Sequence, residues 1–197
     1  MLERRSALLL HGYSGNGSSI LNLASEVFGT EWTVEAPDGP YALASEASRA
    51  WWRRVGEPAE MLDDEQLLEA DFSIQTLASQ VNDAQHVVVG GFSQGAATAL
   101  ALVTRVAEHR AIDLLFMSGR SPWPREMLEE SLIDIVPARA MICHGRQDLR
   151  VPFAEAEMVL DVLLAHGWSV STTLTDHGHR VTASQRQAIR GWVAEVG

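Results

Sequence analysis

The sequence predicts an α/β fold, with a mostly parallel sheet of about six strands and helices on both faces. Three observations lead there. Short apolar runs alternate with longer segments of helical spacing along nearly the whole chain. The short runs end in polar or glycine-rich clusters, as strands of a parallel sheet do before the chain turns into a helix. Proline and glycine also bracket several of the helical segments in the order that helix ends favour.

The elements follow in chain order. SALLLHG (6–12) reads as a short buried strand, and SSILNLASEVFG (18–29) as a helix with Ser18 or Ser19 as N-cap and Gly29 just past its end. WTVEAP (32–37) reads as a strand stopped by Pro37. The stretch from 38 to about 58 is the least regular and contains Trp51-Trp52-Arg53-Arg54. Residues 60–81 have helical spacing, HVVVGG (86–91) is a strand, and 93–109 is an alanine-rich helix. IDLLFMSG (112–119) is a strand, and 124–135 is a helix opened by Pro124. ARAMICHG (138–145) is a strand, and 152–167 is a helix with proline at its start and glycine at its end. WSVSTTL (168–174) alternates like a final strand, and 181–196 closes the chain as a helix with Ile189, Trp192, Val193 and Val196 on one face. There is no internal repeat, low-complexity segment or evident linker, so the 197 residues read as one domain.

Composition narrows the function. Hydrophobic residues make up 46% and charged residues 21%, which is ordinary globular usage. A formal net charge of −11 argues against nucleic acid and anionic membrane surfaces, both of which are polyanions. The single cysteine, Cys143, rules out an internal disulfide and fits a reducing, cytoplasmic compartment. The apolar run near the start breaks at His11-Gly12, too soon for a signal peptide, and no stretch approaches a membrane span. A small-molecule substrate is the expected partner.

In parallel α/β sheets, function gathers at the carboxyl ends of the strands. Gly91-Phe92-Ser93-Gln94-Gly95 is a G-x-S-x-G stretch at such an end, between a valine strand and a helix. A sharp turn there strains the serine backbone, and glycine on either side removes the collisions that a side chain would make. The hydroxyl then projects above the sheet at a helix N-terminus, where developing negative charge is favoured. A serine nucleophile needs a base, and the base needs an orienting acid. Asp148 lies just past the strand that ends in Cys143-His144-Gly145, and Asp176-His177-Gly178-His179 offers two histidines on the loop between the last strand and the last helix. Either could face Ser93. For the oxyanion, the backbone N–H of Gln94 is one donor, and the N–H of Tyr13 in His11-Gly12-Tyr13-Ser14-Gly15-Asn16-Gly17 is the second. That loop fits neither nucleotide-binding spacing, G-x-G-x-x-G or G-x-x-x-x-G-K-[ST].

LHGYSGN, GGFSQGA, CHGRQDLRVP and GHRV together resemble the phospholipase/carboxylesterase family of α/β hydrolases, which includes acyl-protein thioesterases. The four blocks run from residue 9 to 181. The resemblance implies Ser93 as nucleophile, Asp148 as acid and His179, rather than His177, as base. It implies esterase or thioesterase chemistry without metal or cofactor, on an eight-stranded parent fold trimmed at its N-terminus. Three departures stand out: Ser14 where glycine is usual, Leu149-Arg150 in place of a proline-containing pair, and a loosely similar 38–58 segment.

Two other readings compete. A metal-dependent hydrolase could use Asp176, His177 and His179 with His11 or His144 nearby, although no H-E-x-x-H helix or cysteine ligand set is present. A non-catalytic ligand-binding protein can share a hydrolase fold. Cys143 falls inside an apolar strand, the place of a small buried hydrophobe. Trp51, Trp52 and Trp123 lie near strand ends and could wall a substrate site or simply pack, whereas Trp168 and Trp192 read as core. Arg53, Arg54, Arg120 and Arg150 could hold an anionic substrate group, although solvated surface charge is the commoner role. With no long lid legible, the expected site is open and shallow and takes short acyl chains.

Overall fold

The computed structural model describes residues 5–45, 47–54, 61–83, 88–108 and 110–195, with backbone alone at 82 and 83. Glu60, His86, Val87, His109 and Val196, which the sequence assigns to element ends, lie outside these residues, as do 46 and 55–58 of the irregular segment.

Eight strands and six helices are described. In chain order they are β1 (Arg5–Leu10), α1 (Gly17–Val27), β2 (Trp32–Glu35), β3 (Tyr41–Ala42), β4 (Arg49–Ala50), α2 (Asp64–Asp83), β5 (Val88–Phe92), α3 (Gln94–Val106), β6 (Asp113–Met117), α4 (Arg125–Ser131), β7 (Arg139–Gly145), α5 (Phe153–Ala165), β8 (Ser169–Thr175) and α6 (Ala183–Ala194). Six strands make one sheet in the order β2-β1-β5-β6-β7-β8, every pair parallel. The sheet is the one the sequence predicts. The addition is a two-stranded antiparallel ribbon, β3-β4, inside the irregular segment. Two-residue strands are too short to leave an alternating pattern in the sequence.

Strand side chains alternate between the two faces, and the core divides accordingly. Leu8, Leu10 and Val89 join the cluster under α2, α3 and α5, whereas Ala7, Leu9 and Val88 join the cluster under α1 and α6. Trp168 packs in the first cluster and Trp192 in the second.

Helix starts follow local hydrogen-bond chemistry. Asn16, not Ser18 or Ser19, caps α1. Its side-chain oxygen accepts from the Ser19 N–H (2.9 Å), and Ser19 Oγ accepts from the Asn16 N–H (3.1 Å). The reciprocal bonds of this capping box place the serine inside the first turn. Pro124 and Pro152 stand at the start of α4 and α5, and Thr182 with Gln185 forms a second capping box on α6.

The chain leaves β1 toward β2 on one side and returns to β5 on the other. The crevice between β1 and β5 is thus the switch point where open α/β sheets bind ligands. Gly12–Gly15 follows β1 there, and Ser93 follows β5.

Candidate active site

Ser93 joins β5 to α3 with φ 56° and ψ −116°, a backbone state that costs a non-glycine residue of order 1–3 kcal/mol. Two glycines make the turn possible. A Cβ on Gly91 would stand 2.4 Å from the Gly95 carbonyl, and one on Gly95 would stand 2.1 Å from the Leu10 oxygen. The turn is pinned by the Ser93 N–H donating to Met117 O (2.9 Å).

Ser93 Oγ lies 2.9 Å from His179 Nε2, and His179 Nδ1 lies 2.7 Å from Asp148 Oδ2. An ionised carboxylate only accepts, so Nδ1 carries the proton and Nε2 is left to accept from the serine hydroxyl. The Asp148 side chain is fully buried and His179 nearly so. The other Asp148 oxygen accepts from the backbone N–H groups of Arg150 (2.9 Å) and Val151 (3.0 Å). Phe92 packs its ring 4.9 Å from the His179 ring.

His144 adds a contact to Asp148 that no motif announces. Its Nε2–H donates to Val151 O (3.0 Å) and sits 3.6 Å from Asp148 Oδ2, while its buried Nδ1 has no hydrogen-bond partner among the described residues. Desolvation lowers its pKa, which keeps the ring neutral. His11 is likewise held neutral by burial. Its Nδ1–H donates to Gly12 O (2.8 Å), and Nε2 accepts from the Gly39 N–H (2.9 Å).

Tyr13 and Gln94 face the same cavity as Ser93. Gln94 is the first residue of α3, so its N–H is one of those a helix leaves unpaired. The Gly15 N–H donates to Gly12 O (2.9 Å) and closes a tight turn around Tyr13 and Ser14. Ser14 has φ 63°, which explains why glycine is the easier residue there.

The cavity at Ser93 has a volume of about 230 Å³ and is walled by Trp52, Leu62, Phe92, Ala97 and Val151, with Gln66 and three arginines. A second, of about 500 Å³, opens on the other side of His179 and Tyr13, toward Ile20, Leu23 and Val181. Of the three tryptophans considered, only Trp52 lines either cavity. Trp51 is 1% exposed, its Nε1–H donating to His11 O (2.8 Å). Trp123 packs against the core cluster. Both are corrections to a substrate-wall role, and the reason is that these rings meet backbone and core before they reach the cleft. The Gln94 side chain, missed in the sequence, fixes the wall: Oε1 accepts from the Trp51 N–H (3.0 Å), and Nε2 donates to Trp52 O (2.8 Å).

Asp176 and His177 are exposed and take no part in the Ser93–His179–Asp148 chain of hydrogen bonds. Among the described residues, no three His, Cys, Asp or Glu side chains converge as a metal ion would need. Burial pushes the Cys143 thiol up to about 12, which denies it thiolate character at neutral pH.

The parallel sheet and the serine turn at its switch point define an α/β hydrolase. The chain belongs to the phospholipase/carboxylesterase family, whose model matches residues 3–196. It is thereby a hydrolase of the carboxylesterase and thioesterase type. Solved structures share the fold. Arabidopsis thaliana SOBER1 aligns with a TM-score of 0.78 at 19% identity, over 97% of this chain and 98% of its own. Zea mays acyl-protein thioesterase 2 aligns at 0.75 and 22% identity, over 97% and 93%. The Bacillus cereus carboxylesterase aligns at 0.78 and 22%, over 99% and 90%. No curated protein sequence matches the chain. Among the described residues, no helix is long and apolar enough to cross a membrane.

Proposed function

We propose that this protein is a serine esterase that hydrolyses short acyl esters through a covalent acyl-enzyme. The observation that carries this reading is the continuous hydrogen-bonded path from Ser93 Oγ through His179 to the buried Asp148, opening on a cavity of about 230 Å³. His179 Nε2 takes the hydroxyl proton as Oγ attacks the ester carbonyl carbon. The backbone N–H groups of Tyr13 and Gln94 hold the oxyanion, and Asp148 stabilises the imidazolium. His179 then gives its proton to the leaving alcohol, and the C–O bond breaks. Water enters, loses a proton to Nε2, attacks the acyl carbon and releases the acid, and the proton returns to Ser93. Each step needs only groups on this chain. A thioester differs only in its leaving thiol, and the same steps apply.

Substrate size follows from the walls. Trp52, whose carbonyl accepts from Gln94 Nε2, lines the cavity with Leu62 and Ala97, and a volume of about 230 Å³ suits a short acyl group. The test is Ser93→Ala, assayed on p-nitrophenyl esters of rising chain length beside acyl thioesters. The variant should fold normally, lose on the order of 10³-fold or more in kcat, and resist labelling by a fluorophosphonate. A labelled variant would sink the assignment, and a steady rise in kcat/KM toward long chains would refute the size preference.

A further inference from the structure

Two cavities meet at the candidate site, and its reacting groups are divided between them. Ser93 and Gln94 line the cavity of about 230 Å³ and not the other. Gly12, Tyr13, Phe92 and His179 line both. His179 is therefore part of a partition, with about 500 Å³ of further space beyond it. The two spaces also belong to opposite faces of the sheet. Trp52, Leu62 and Ala97, on the smaller cavity, pack with the cluster under α2, α3 and α5. Ile20, Leu23 and Val181, on the larger one, pack with the cluster under α1 and α6.

The larger cavity has tied sides. Arg186 Nε of α6 lies 2.8 Å from Glu26 Oε2 of α1, and its Nη1 donates to Val181 O (2.8 Å). Arg190 Nε donates to Glu26 O (2.9 Å) and adds a second link between the same helices. Ile20 is buried, and Leu23 and Val181 are half-buried. A hydrocarbon group laid against these three loses water without stranding a polar group. The volume of about 500 Å³ is that of a small-ligand pocket.

Ester cleavage decides which half of a substrate lies where. The acyl carbon must reach Ser93 Oγ, and its oxyanion must reach the Gln94 N–H. Both groups face the smaller cavity alone. The leaving oxygen must come to His179 Nε2, because that nitrogen supplies its proton. A group carried on the leaving oxygen thus starts at the partition. With the acyl group filling the smaller cavity, the room left to it lies beyond His179, against Ile20, Leu23 and Val181.

We propose that the larger cavity is the subsite for the alcohol half of the substrate, and that the enzyme cleaves short-acyl esters of large apolar alcohols. This rests on the esterase reading above and names the half of the substrate that sets specificity. Water splits the ester into the short acid and the apolar alcohol, with no other reactant.

The test compares isomers. Hexyl acetate and ethyl hexanoate have the same composition and differ in which half carries the long chain. The wild-type enzyme should favour hexyl acetate by about tenfold or more in kcat/KM, the scale of a few buried methylenes. It should favour hexyl acetate over ethyl acetate to a similar degree. Leu23→Trp fills the larger cavity from α1, and Val181→Trp fills it from the α6 side. Each should lower the ratio of hexyl acetate to ethyl acetate severalfold. The wild-type comparison needs neither variant, so it decides even where one of them does not fold. Equal rates for the two isomers, or a preference for ethyl hexanoate, would overturn the subsite while the esterase reading stands. A preference for hexyl acetate that folded tryptophan variants leave intact would overturn it too, since the chain would then lie elsewhere. If no ester is hydrolysed and Ser93 takes no fluorophosphonate label, the esterase reading falls and the subsite with it.

Discussion

The carboxyl ends of β7 and β8 carry the same residue types and behave oppositely. Each has a carboxylate and a histidine close in sequence: His144 near the end of β7 with Asp148 just after the strand, Asp176 and His177 just after β8. Asp148 and His144 are fully buried, and the carboxylate is saturated by two backbone N–H groups and the His179 ring. Asp176 and His177 face solvent. His177 contributes its backbone instead, its carbonyl accepting from the Gln147 N–H (3.1 Å). The Arg146 N–H donates to Thr175 O (2.7 Å), so the two loops are laced together. The tight fit extends to Gly145, where a Cβ would stand 2.1 Å from His177 O. A carboxylate close to a histidine in sequence is thus not enough to join the path to Ser93. Burial and the backbone donors at Arg150 and Val151 set Asp148, and among the described residues the ring that bridges it to Ser93 is His179, from the adjoining loop.

The comparison is broken most directly by exchanging each acid for its amide. Asp148→Asn should favour the wrong His179 tautomer and cost up to roughly 10⁴-fold in kcat with the fold retained. Asp176→Asn, exposed and outside the hydrogen-bonded path, should cost no more than about twofold, in line with surface substitutions. The histidines should follow the same order, His179→Gln losing most of the activity and His177→Gln little, because the His177 backbone carbonyl survives the change. Measuring kcat for the four variants at one pH settles the order. If Asp176→Asn were the more damaging of the acids, the β7 loop would not be the source of the orienting group.

Much of this was legible in the sequence, and the reasons differ by residue. Ser93 announces itself because two glycines are forced by sterics on either side of a strained turn. Asp148 could be placed because adjacent parallel strands bring their carboxyl-end loops together, and β7 and β8 are indeed register-paired from Arg139 and Ser169 to Gly145 and Thr175. The choice between His177 and His179 was not legible from the residues alone. Both lie on one loop, and which ring turns inward depends on the lacing just described. The tryptophans failed for a related reason. Trp51 and Trp52 are adjacent, yet one ring packs on His11 with centroids 5.0 Å apart and the other reaches the cavity, with Gln94 at the start of α3 binding the backbone of both. Contacts between residues more than forty positions apart leave no local pattern.

A smaller effect sharpens the contrast at the carboxyl end of β7. His144 Nε2–H holds the Val151 carbonyl and lies beside Asp148 Oδ2, so it acts on the acid and through it on His179. His144→Phe keeps the ring and removes the N–H. The kcat should fall about tenfold, as for other partners one shell removed from a reacting group. His144→Gln, which restores an N–H near the same place, should recover part of the loss. In an Asp148→Asn background the His144→Phe change should cost almost nothing further, because two residues acting through one group are not additive. A full tenfold loss in both backgrounds would mean that His144 serves only the packing of the loop.

The smallest effect concerns acid stability. Burial is the largest cause lowering the His144 pKa, with the Val151 carbonyl bond and the charge of Asp148 opposing it and His179 adding to it. In the unfolded chain the same ring titrates near the usual value of about 6.5. Between that value and the lower folded one, the unfolded state holds more protons than the folded state, so stability rises with pH across this window. Read downward, the fold is unaffected above about pH 7 and loses stability as pH falls through the unfolded pKa toward the folded one. His11 works in the same direction, since burial lowers it too and protonating Nε2 would break its bond from the Gly39 N–H. His144→Phe should therefore flatten, without abolishing, the fall in Tm between about pH 7 and pH 5, His11 supplying part of what remains. The measurement is Tm against pH for the two proteins in one buffer series. Equal slopes in the wild type and His144→Phe would mean that the β7 histidine opens to solvent before it takes up its proton, and that the buried side of the comparison is less closed than its hydrogen bonds imply.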